Sequence, residues 1–182
     1  MSEVSDRYAR VAHGFAARLE HCPPDKLDAP SPCDQWTGRD VASHVVHVHR
    51  RVLAVLDGSD AKEPALDEDL VAAFRDASDA VNAAVSDPSR ANKTVSGIFG
   101  EQPFEQLVGR LLCADTLIHS WDLARATGQD DQLDTDAVTK ALEFLTPIDE
   151  AIRRPGGFGR KLVPPADADL QTKLLAFTGR RA

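Results

Sequence analysis

The sequence has few of the features that mark membrane, secreted or nucleic-acid-binding proteins. No run of apolar residues approaches the roughly 20 that a membrane-spanning helix needs. The N-terminal stretch MSEVSDRYARVAHGF carries Glu3 and Asp6 and lacks the apolar centre of a signal peptide. Positive charge is also scarce, with 21 Lys and Arg against 29 Asp and Glu. The missing apolar segments predict a soluble, cytoplasmic protein that does not bind membranes. Because an acidic chain repels phosphate backbones, we also predict that it does not bind nucleic acid.

Cysteine occurs only three times, at Cys22, Cys33 and Cys113, and never in a C-x-x-C pair. An odd number of cysteines without a secretion signal favours reduced thiols over disulfides. Cys22 and Cys33 flank a proline-rich loop and could meet, but a reducing compartment favours free thiols there too. Cys113 has the setting of a small buried hydrophobic residue. None of the three has a convincing His partner that would make it a nucleophile.

Alternation of period two is scarce, whereas apolar residues recur at helical spacing through most of the chain. Val41, Val45, Val48, Val52 and Val55 follow one another at steps of four and three, a pattern typical of a helix face that points into a bundle. A length of 182 residues with 42% hydrophobic content suffices for one sizeable core. We therefore predict an all-α protein, a single domain over 1–182 built as a four-helix bundle with a short additional C-terminal helix.

Capping and breaking residues divide the predicted helices. Thr37 with Asp40 predicts an N-terminal capping box, Gly128 predicts a helix end, and Pro147 predicts a kink or division. The segment KTVSGIFGEQP predicts an extended loop or a short hairpin that could line the mouth of a site. Helices are predicted over about 4–20, 38–57, 67–85, 103–127, 134–153 and 167–177.

The stretch DTLIHSWDLA, residues 115–124, places Asp115, His119 and Asp122 at steps of four and three inside a predicted buried helix. Buried polar groups cost free energy unless something pairs with them. Asp115 and His119 share one helix face, and His44 beside the valine face is the candidate from a second helix. Two imidazoles and a carboxylate on facing helices are typical ligands of Zn²⁺, Ni²⁺ or Fe²⁺, with a position left for water or substrate.

The same spacing also fits an Asp115–His119 hydrogen-bonded pair that satisfies itself in the core without metal. Asp122 is predicted to orient the His119 ring or to bind a ligand itself. His47 and His49 are predicted to be solvated or capping residues rather than ligands.

Trp36 and Trp121 are predicted to be core aromatics, with a place in a pocket wall as the alternative. Arg39, Arg110 and Arg125 are candidates for binding an anionic substrate, with a plain surface charge as the alternative.

Three motifs carry a resemblance to a known family: WTGRDVASHVVH (36–47), DTLIHSWDLARATG (115–128) and LLAFTGR (174–180). The chain resembles actinobacterial metal-binding proteins related to the N-terminal domain of mycothiol-dependent maleylpyruvate isomerase, within the DinB/YfiT-like superfamily. The resemblance implies a DinB-like four-helix bundle and a metal triad of His44, Asp115 and His119. The isomerase has glutamate at the Asp115 position and a second domain in its active site, so maleylpyruvate isomerisation itself is not carried over.

The resemblance implies a thiol-dependent enzyme in which the metal, with zinc as the first choice and nickel or iron as alternatives, binds mycothiol as a thiolate. The expected reaction is S-transfer to an electrophilic substrate or a thiol-assisted isomerisation. The alternative is a helical bundle that binds metal without turnover, as a sensor or an interaction module. The resemblance also implies that two chains can form a homodimer.

Overall fold

The computed structural model describes residues 2–23, 25–97, 99–153 and 157–181, and helices dominate it. The helices are α1 (Glu3–Glu20), α2 (Gly38–Asp57), α3 (Leu70–Ser86), α4 (Pro88–Ala91), α5 (Phe104–Leu107), α6 (Cys113–Thr127), α7 (Thr135–Leu145), α8 (Asp149–Ile152) and α9 (Leu170–Phe177). The strands β1 (Thr94–Gly97) and β2 (Gly100–Pro103) form an antiparallel hairpin. The prediction of an all-α protein is confirmed.

The four longest helices pack around a common core. Helix α1 packs against α3 and α6, and α2 packs against the same two helices from the other side. The core face of α2 is formed by Val41, Val45, Val48 and Val52, as the sequence pattern predicts. Val55, the last member of that pattern, is 40% exposed, and its neighbour Leu56, which is 1% exposed, continues the core face to the end of α2. Within the described residues, no helix is both long and apolar enough to cross a membrane.

Helix α2 begins and ends where the sequence predicts. The Thr37 side chain accepts a hydrogen bond from the Asp40 amide, and the Asp40 side chain accepts one from the Thr37 amide, which completes the capping box. Gly58 ends the helix in the left-handed conformation at φ 68°. Helices α3 and α9 begin at Leu70 and Leu170, later than the predicted 67 and 167, because Asp69 and Asp169 cap them.

The predicted long helix over 103–127 is divided into three pieces. A π-helical segment, Val108–Leu112, joins α5 to α6. Such segments add a residue to a helical turn and are frequent beside functional sites. This π-helical segment ends just before Asp115, so it sets the direction in which the face of α6 carrying Asp115 and His119 points.

The C-terminal third packs on the outer side of α6. Leu117 and Ile118 of α6 form a second hydrophobic cluster with Val138 of α7 and Leu174 of α9. A 3-10 turn, Thr146–Ile148, separates α7 from α8, which confirms the predicted division at Pro147. The expectation of a single domain over 1–182 stays a prediction.

Candidate metal site and cavity

Helices α2 and α6 bring His44, Asp115 and His119 together. The Nε2 atom of His44 lies 3.3 Å from Oδ1 of Asp115, and Nε2 of His119 lies 3.8 Å from the same oxygen. One ligating atom from each of the three side chains lies within 4.8 Å of the others, an arrangement that could hold a metal ion. The sequence-predicted residues therefore meet at one point.

Asp122 fixes the orientation of the His119 ring. Its side chain is fully buried, and its Oδ2 atom accepts a hydrogen bond from Nδ1 of His119 at 2.9 Å. Burial raises the pKa of Asp122, but the His119 hydrogen bond and the Arg180 charge outweigh it and hold that pKa well below its ordinary value. Because the ionised carboxylate accepts the Nδ1 proton, the lone pair of neutral His119 lies on Nε2, on the side of Asp115.

Arg180, in the tail after α9, completes this network. Its guanidinium binds Asp122 through two atoms, with Nε 3.0 Å from Oδ1 and an Nη 2.7 Å from Oδ2. The same Nη donates to the Sγ atom of Cys33 at 3.3 Å, and the Cys33 thiol donates to Asp122 at 3.2 Å. Burial first, then the Asp122 charge, raises the pKa of Cys33 to about 12, so this thiol stays protonated.

The ionisation of Asp115 and His44 is coupled. Burial raises the pKa of Asp115, but the two imidazoles beside it bring the pKa below its ordinary value. Burial lowers the pKa of His44, and the Asp115 hydrogen bond and charge reverse this, leaving the pKa raised. Asp115 is therefore an anion between two nitrogen donors at neutral pH.

Trp36 covers both imidazoles, with its ring centroid 5.0 Å from that of His44 and 5.9 Å from that of His119. The loop that carries it closes through a bridge between Pro30 and Thr37. Within this loop Gln35 adopts φ 64°, a conformation that non-glycine residues rarely take. The turn brings Cys33 and Trp36 to the same side, beside the histidines. The sequence predicted Trp36 to be a core aromatic, with a place in a pocket wall as the alternative, and the structure shows it in the cavity wall.

The three side chains lie in the wall of a cavity of about 670 Å³. Residues of α7, of α8 and of the segment around Phe158 also line it, and Arg180 joins the lining beside Asp122. Phe99, at the turn of the β1–β2 hairpin, lines the cavity and packs edge-to-face on Phe144 with centroids 5.3 Å apart. The predicted position of the hairpin at the site mouth agrees with this contact.

Other sequence-predicted candidates lie away from the cluster. His49 was predicted to be solvated or capping, and this is wrong: it is fully buried against Phe74, with Nδ1 bonded to the carbonyl of Val45. His47 lies 3.2 Å from Glu63 and does not join the cluster. The spacing already indicated the burial of His49, because this residue follows Val45 by four residues and precedes Val52 by three and therefore shares their helix face.

The three arginines considered for an anionic substrate are engaged outside the cavity. Arg39 pairs with Asp28, Arg125 pairs with Asp131, and Arg110 lies 3.5 Å from the side-chain oxygen of Gln102. Trp121 is a buried core residue, as predicted. Cys22, Cys33 and Cys113 are free thiols, as predicted.

Sequence reasoning missed the roles of Arg180 and Cys33 in orienting the site. Arg180 lies 58 positions after Asp122, and Cys33 lies 89 positions before it. Helical periodicity carries no information on contacts over such separations. The motif LLAFTGR, which ends at Arg180, was the signal that could have pointed to a role for this arginine.

The fold and the site define an all-helical protein with a cluster capable of binding metal in the wall of a cavity. The chain belongs to the family of the mycothiol maleylpyruvate isomerase N-terminal domain, whose sequence model matches residues 8–124. This confirms the resemblance and the DinB-like helical fold that it implied. The matched range contains His44, Asp115, His119 and Asp122 and ends before Arg180.

Two uncharacterized proteins of Mycobacterium tuberculosis, from strains CDC 1551 and H37Rv, are similar along nearly the whole chain. Each is 33% identical over 175 residues, which cover 95% of this chain and 95% of the relative. No solved structure matches the chain significantly.

Proposed function

We propose that His44, Asp115 and His119 bind a divalent metal, with zinc expected first and nickel or iron as alternatives. We further propose that the protein is a thiol-dependent S-transferase or isomerase whose thiol is mycothiol. The observation that carries the proposal is the meeting of two imidazoles and a carboxylate in the wall of a cavity. The family relation to mycothiol supports the choice of thiol.

The three side chains of the cluster satisfy one another only in part, through a 3.3 Å hydrogen bond between Nε2 of His44 and Oδ1 of Asp115. Oδ2 of Asp115 is buried and has no hydrogen-bond partner among the described residues. An ionised carboxylate oxygen in that position is costly unless a cation or a donor reaches it. Oδ1 of Asp115 lies at 3.8 Å from His119, beyond hydrogen-bond distance. A self-satisfied Asp115–His119 pair would leave neither feature, so the metal-free alternative is the weaker one.

A second group, Cys33, His119 and Asp122, also has its potential ligand atoms close together. Asp122 is already engaged by Arg180 and by the Nδ1 proton of His119. Cys33 is a protonated thiol that donates to Asp122. Cys33 and Asp122 therefore act better as supports of His119 than as ligands.

A divalent metal bound there would lower the pKa of a coordinated thiol and supply a thiolate nucleophile at neutral pH. Asp122 holds His119 in the tautomer and orientation that a ligand needs, and Arg180 neutralises Asp122. Trp36 packs over both imidazoles and excludes water from that side. The cysteines of the chain do not compete as nucleophiles, since burial raises the pKa of Cys33 and of Cys113.

A cytoplasmic location belongs to this proposal, because low-molecular-weight thiols are kept reduced there and the three cysteines are free. The alternative, a metal sensor or interaction module without turnover, needs no substrate cavity. The cavity of about 670 Å³ beside the cluster favours the enzyme, since it lies in the range of small-molecule sites. Homodimer formation stays a prediction.

The first test is the metal content per chain, measured by elemental mass spectrometry on protein prepared without a His-tag. We expect close to one divalent ion per chain, and we expect His119→Ala to remove it. His47→Ala is the matched control, since His47 lies on the same helix as His44 but outside the cluster. Absence of metal after incubation with Zn²⁺ or Ni²⁺ would contradict the proposal.

The second test concerns the thiol. The protein is loaded with Co²⁺ and titrated with mycothiol, and near-ultraviolet absorption from sulfur coordination is followed. We expect a saturable new band in the unmodified protein. If cobalt is bound but no such band appears on addition of mycothiol, the metal site would stand and the thiol-dependent reaction would be contradicted. That result would favour the metal sensor.

A further inference from the structure

We propose that the cavity beside His44, Asp115 and His119 binds a neutral molecule with an aromatic ring. As a substrate assignment this rests on the proposed function, in which that molecule is the electrophile. As a binding site it rests only on the shape, composition and charge of the cavity.

The cavity has an apolar wall that is rich in aromatic side chains. Although aromatic residues are only 5% of the sequence, four of them line this cavity: Trp36, Phe99, Phe144 and Phe158. Leu145, Ile148 and Ile152 add branched aliphatic surface between them. Aromatic side chains favour offset or edge-to-face contacts with another ring, so this wall suits a flat apolar ligand.

The charges of the cavity disfavour an anionic ligand. Arg180 is the one Arg or Lys among the described residues that line the cavity. Its guanidinium is bound through two atoms to buried Asp122. Asp34 adds a carboxylate to the lining, and Asp115 is assigned to the metal in the proposed function. Apart from that proposed metal, a dicarboxylate would find no free cation in the described lining to pair with.

Most of the apolar wall comes from residues that the family match does not cover. Phe144, Leu145, Ile148, Ile152 and Phe158 all follow residue 124, where the match ends. The candidate metal ligands lie inside the match together with Trp36 and Phe99, whereas most of the apolar wall lies outside it. Specificity for that molecule therefore depends largely on residues that follow the matched domain.

The test is a fluorescence titration of the intact protein with N-phenyl-1-naphthylamine, a neutral aromatic probe whose emission rises in apolar sites. We expect saturable binding at one site per chain, and displacement by naphthalene but not by maleate. Phe144→Ala should weaken binding by about 10-fold through loss of one aromatic contact. Leu66→Ala, which removes a fully exposed apolar side chain that does not line the cavity, should leave probe binding unchanged.

Ile148→Asn is a second variant, because Ile148 is only partly buried and its replacement spares the fold. This variant should also weaken binding of the probe, while its circular dichroism spectrum remains that of the unmodified protein. Displacement by maleate as effective as that by naphthalene, or unchanged binding in both wall variants, would overturn the proposal. Probe binding that persists in a protein shown to hold no metal would support this cavity assignment while contradicting the proposed function.

Discussion

At the scale of single residues, the site depends on one imidazole held between two carboxylates. His119 directs Nδ1 to Asp122 at 2.9 Å, and its Nε2 faces Asp115. The two carboxylates differ in what else they bind: Arg180 pairs with Asp122, whereas Oδ2 of Asp115 has no partner among the described residues. This difference supports the proposal that Asp122 orients His119 whereas Asp115 binds the metal.

Asp122→Asn tests the orienting role. The amide is a weaker acceptor for the Nδ1 proton and can rotate to offer a donor instead, so the ring loses its fixed tautomer. We expect metal affinity to fall about 10- to 100-fold, as is typical when an outer-shell carboxylate is removed. Competition with a fluorescent zinc chelator measures it. Asp34→Asn, which makes the same charge change in the cavity lining without touching His119, is the control and should stay within about 2-fold.

His49 gives the fold a dependence on pH. Burial lowers its pKa from an ordinary 6.5 to about 4, the Val45 hydrogen bond opposing this in part. The unfolded chain binds the proton below pH 6.5, whereas the native state binds it only near 4. Stability should therefore fall by roughly 3 kcal/mol as the pH drops from 6.5 to 4.

His49→Leu should remove that loss, because leucine fills the space without titrating. The free energy of unfolding in urea, measured between pH 7 and pH 4.5 on chelator-treated protein, checks it. His44 has a raised pKa and acts in the opposite direction, while the lowered pKa of Asp115 matters only below its ordinary 3.8. His13→Gln, at an exposed position, should keep the full loss. An equal slope in His49→Leu would contradict this assignment.

At the scale of secondary-structure elements, the site depends on a close approach between α2 and the neighbouring chain. Gly38 is the first residue of α2, and its amide donates to the carbonyl of Ala29. A Cβ atom there would lie 2.9 Å from the carbonyl oxygen of Leu27 and would also touch Leu123 and Ala126 of α6. The absence of a side chain lets the two helices that carry His44 and His119 meet.

Gly38→Ala should therefore lower the free energy of unfolding by about 1–3 kcal/mol, because backbone must move to admit the methyl group. The matched control is Gly14→Ala in the interior of α1, where the added Cβ would meet only the flexible end of Arg18 at 3.4 Å. That change should stabilise by roughly 0.5–1 kcal/mol through helix propensity. Urea denaturation of both variants measures the two values, and a Gly38→Ala protein as stable as the parent would show that the contact relaxes freely.

At the scale of the whole molecule, the C-terminal tail returns to the centre of the site. Arg180 reaches Asp122 across the second hydrophobic cluster, in which Leu174 of α9 packs against α6 and α7. The guanidinium is nearly as buried as the carboxylate, with 9% and 0% of the side chains exposed. The matched family range and the tail are thus joined by a buried ion pair.

Arg180→Leu should lower the free energy of unfolding by about 3–5 kcal/mol, because it leaves Asp122 buried without its cation. The double variant Asp122→Asn, Arg180→Leu should lose less than the sum of the two single changes. Arg125→Leu breaks an ion pair that is half exposed and should cost less than about 1 kcal/mol. Additive effects at Asp122 and Arg180 in urea denaturation would contradict the coupling.

Local sequence patterns predicted most of the helices, both ends of α2 and the three residues that meet in the cluster. The capping box of Thr37 and Asp40 is local, and the steps of three and four from Asp115 to Asp122 follow the helical repeat. His44 could be predicted as the third residue because the valine face of α2 indicates which side of that helix is buried. These features depend on neighbours within one helical turn or on one hydrophobic face, both of which the order of residues encodes directly.

The surroundings of the cluster could be seen only in the folded chain. The contacts of Arg180 and Cys33 with Asp122 and the apolar wall containing Phe144 and Phe158 join segments far apart in the sequence. The π-helical segment before α6 likewise follows from packing rather than from periodicity. Helical patterns state which face of a segment is buried, but which other segment covers that face is set by the packing of the whole chain.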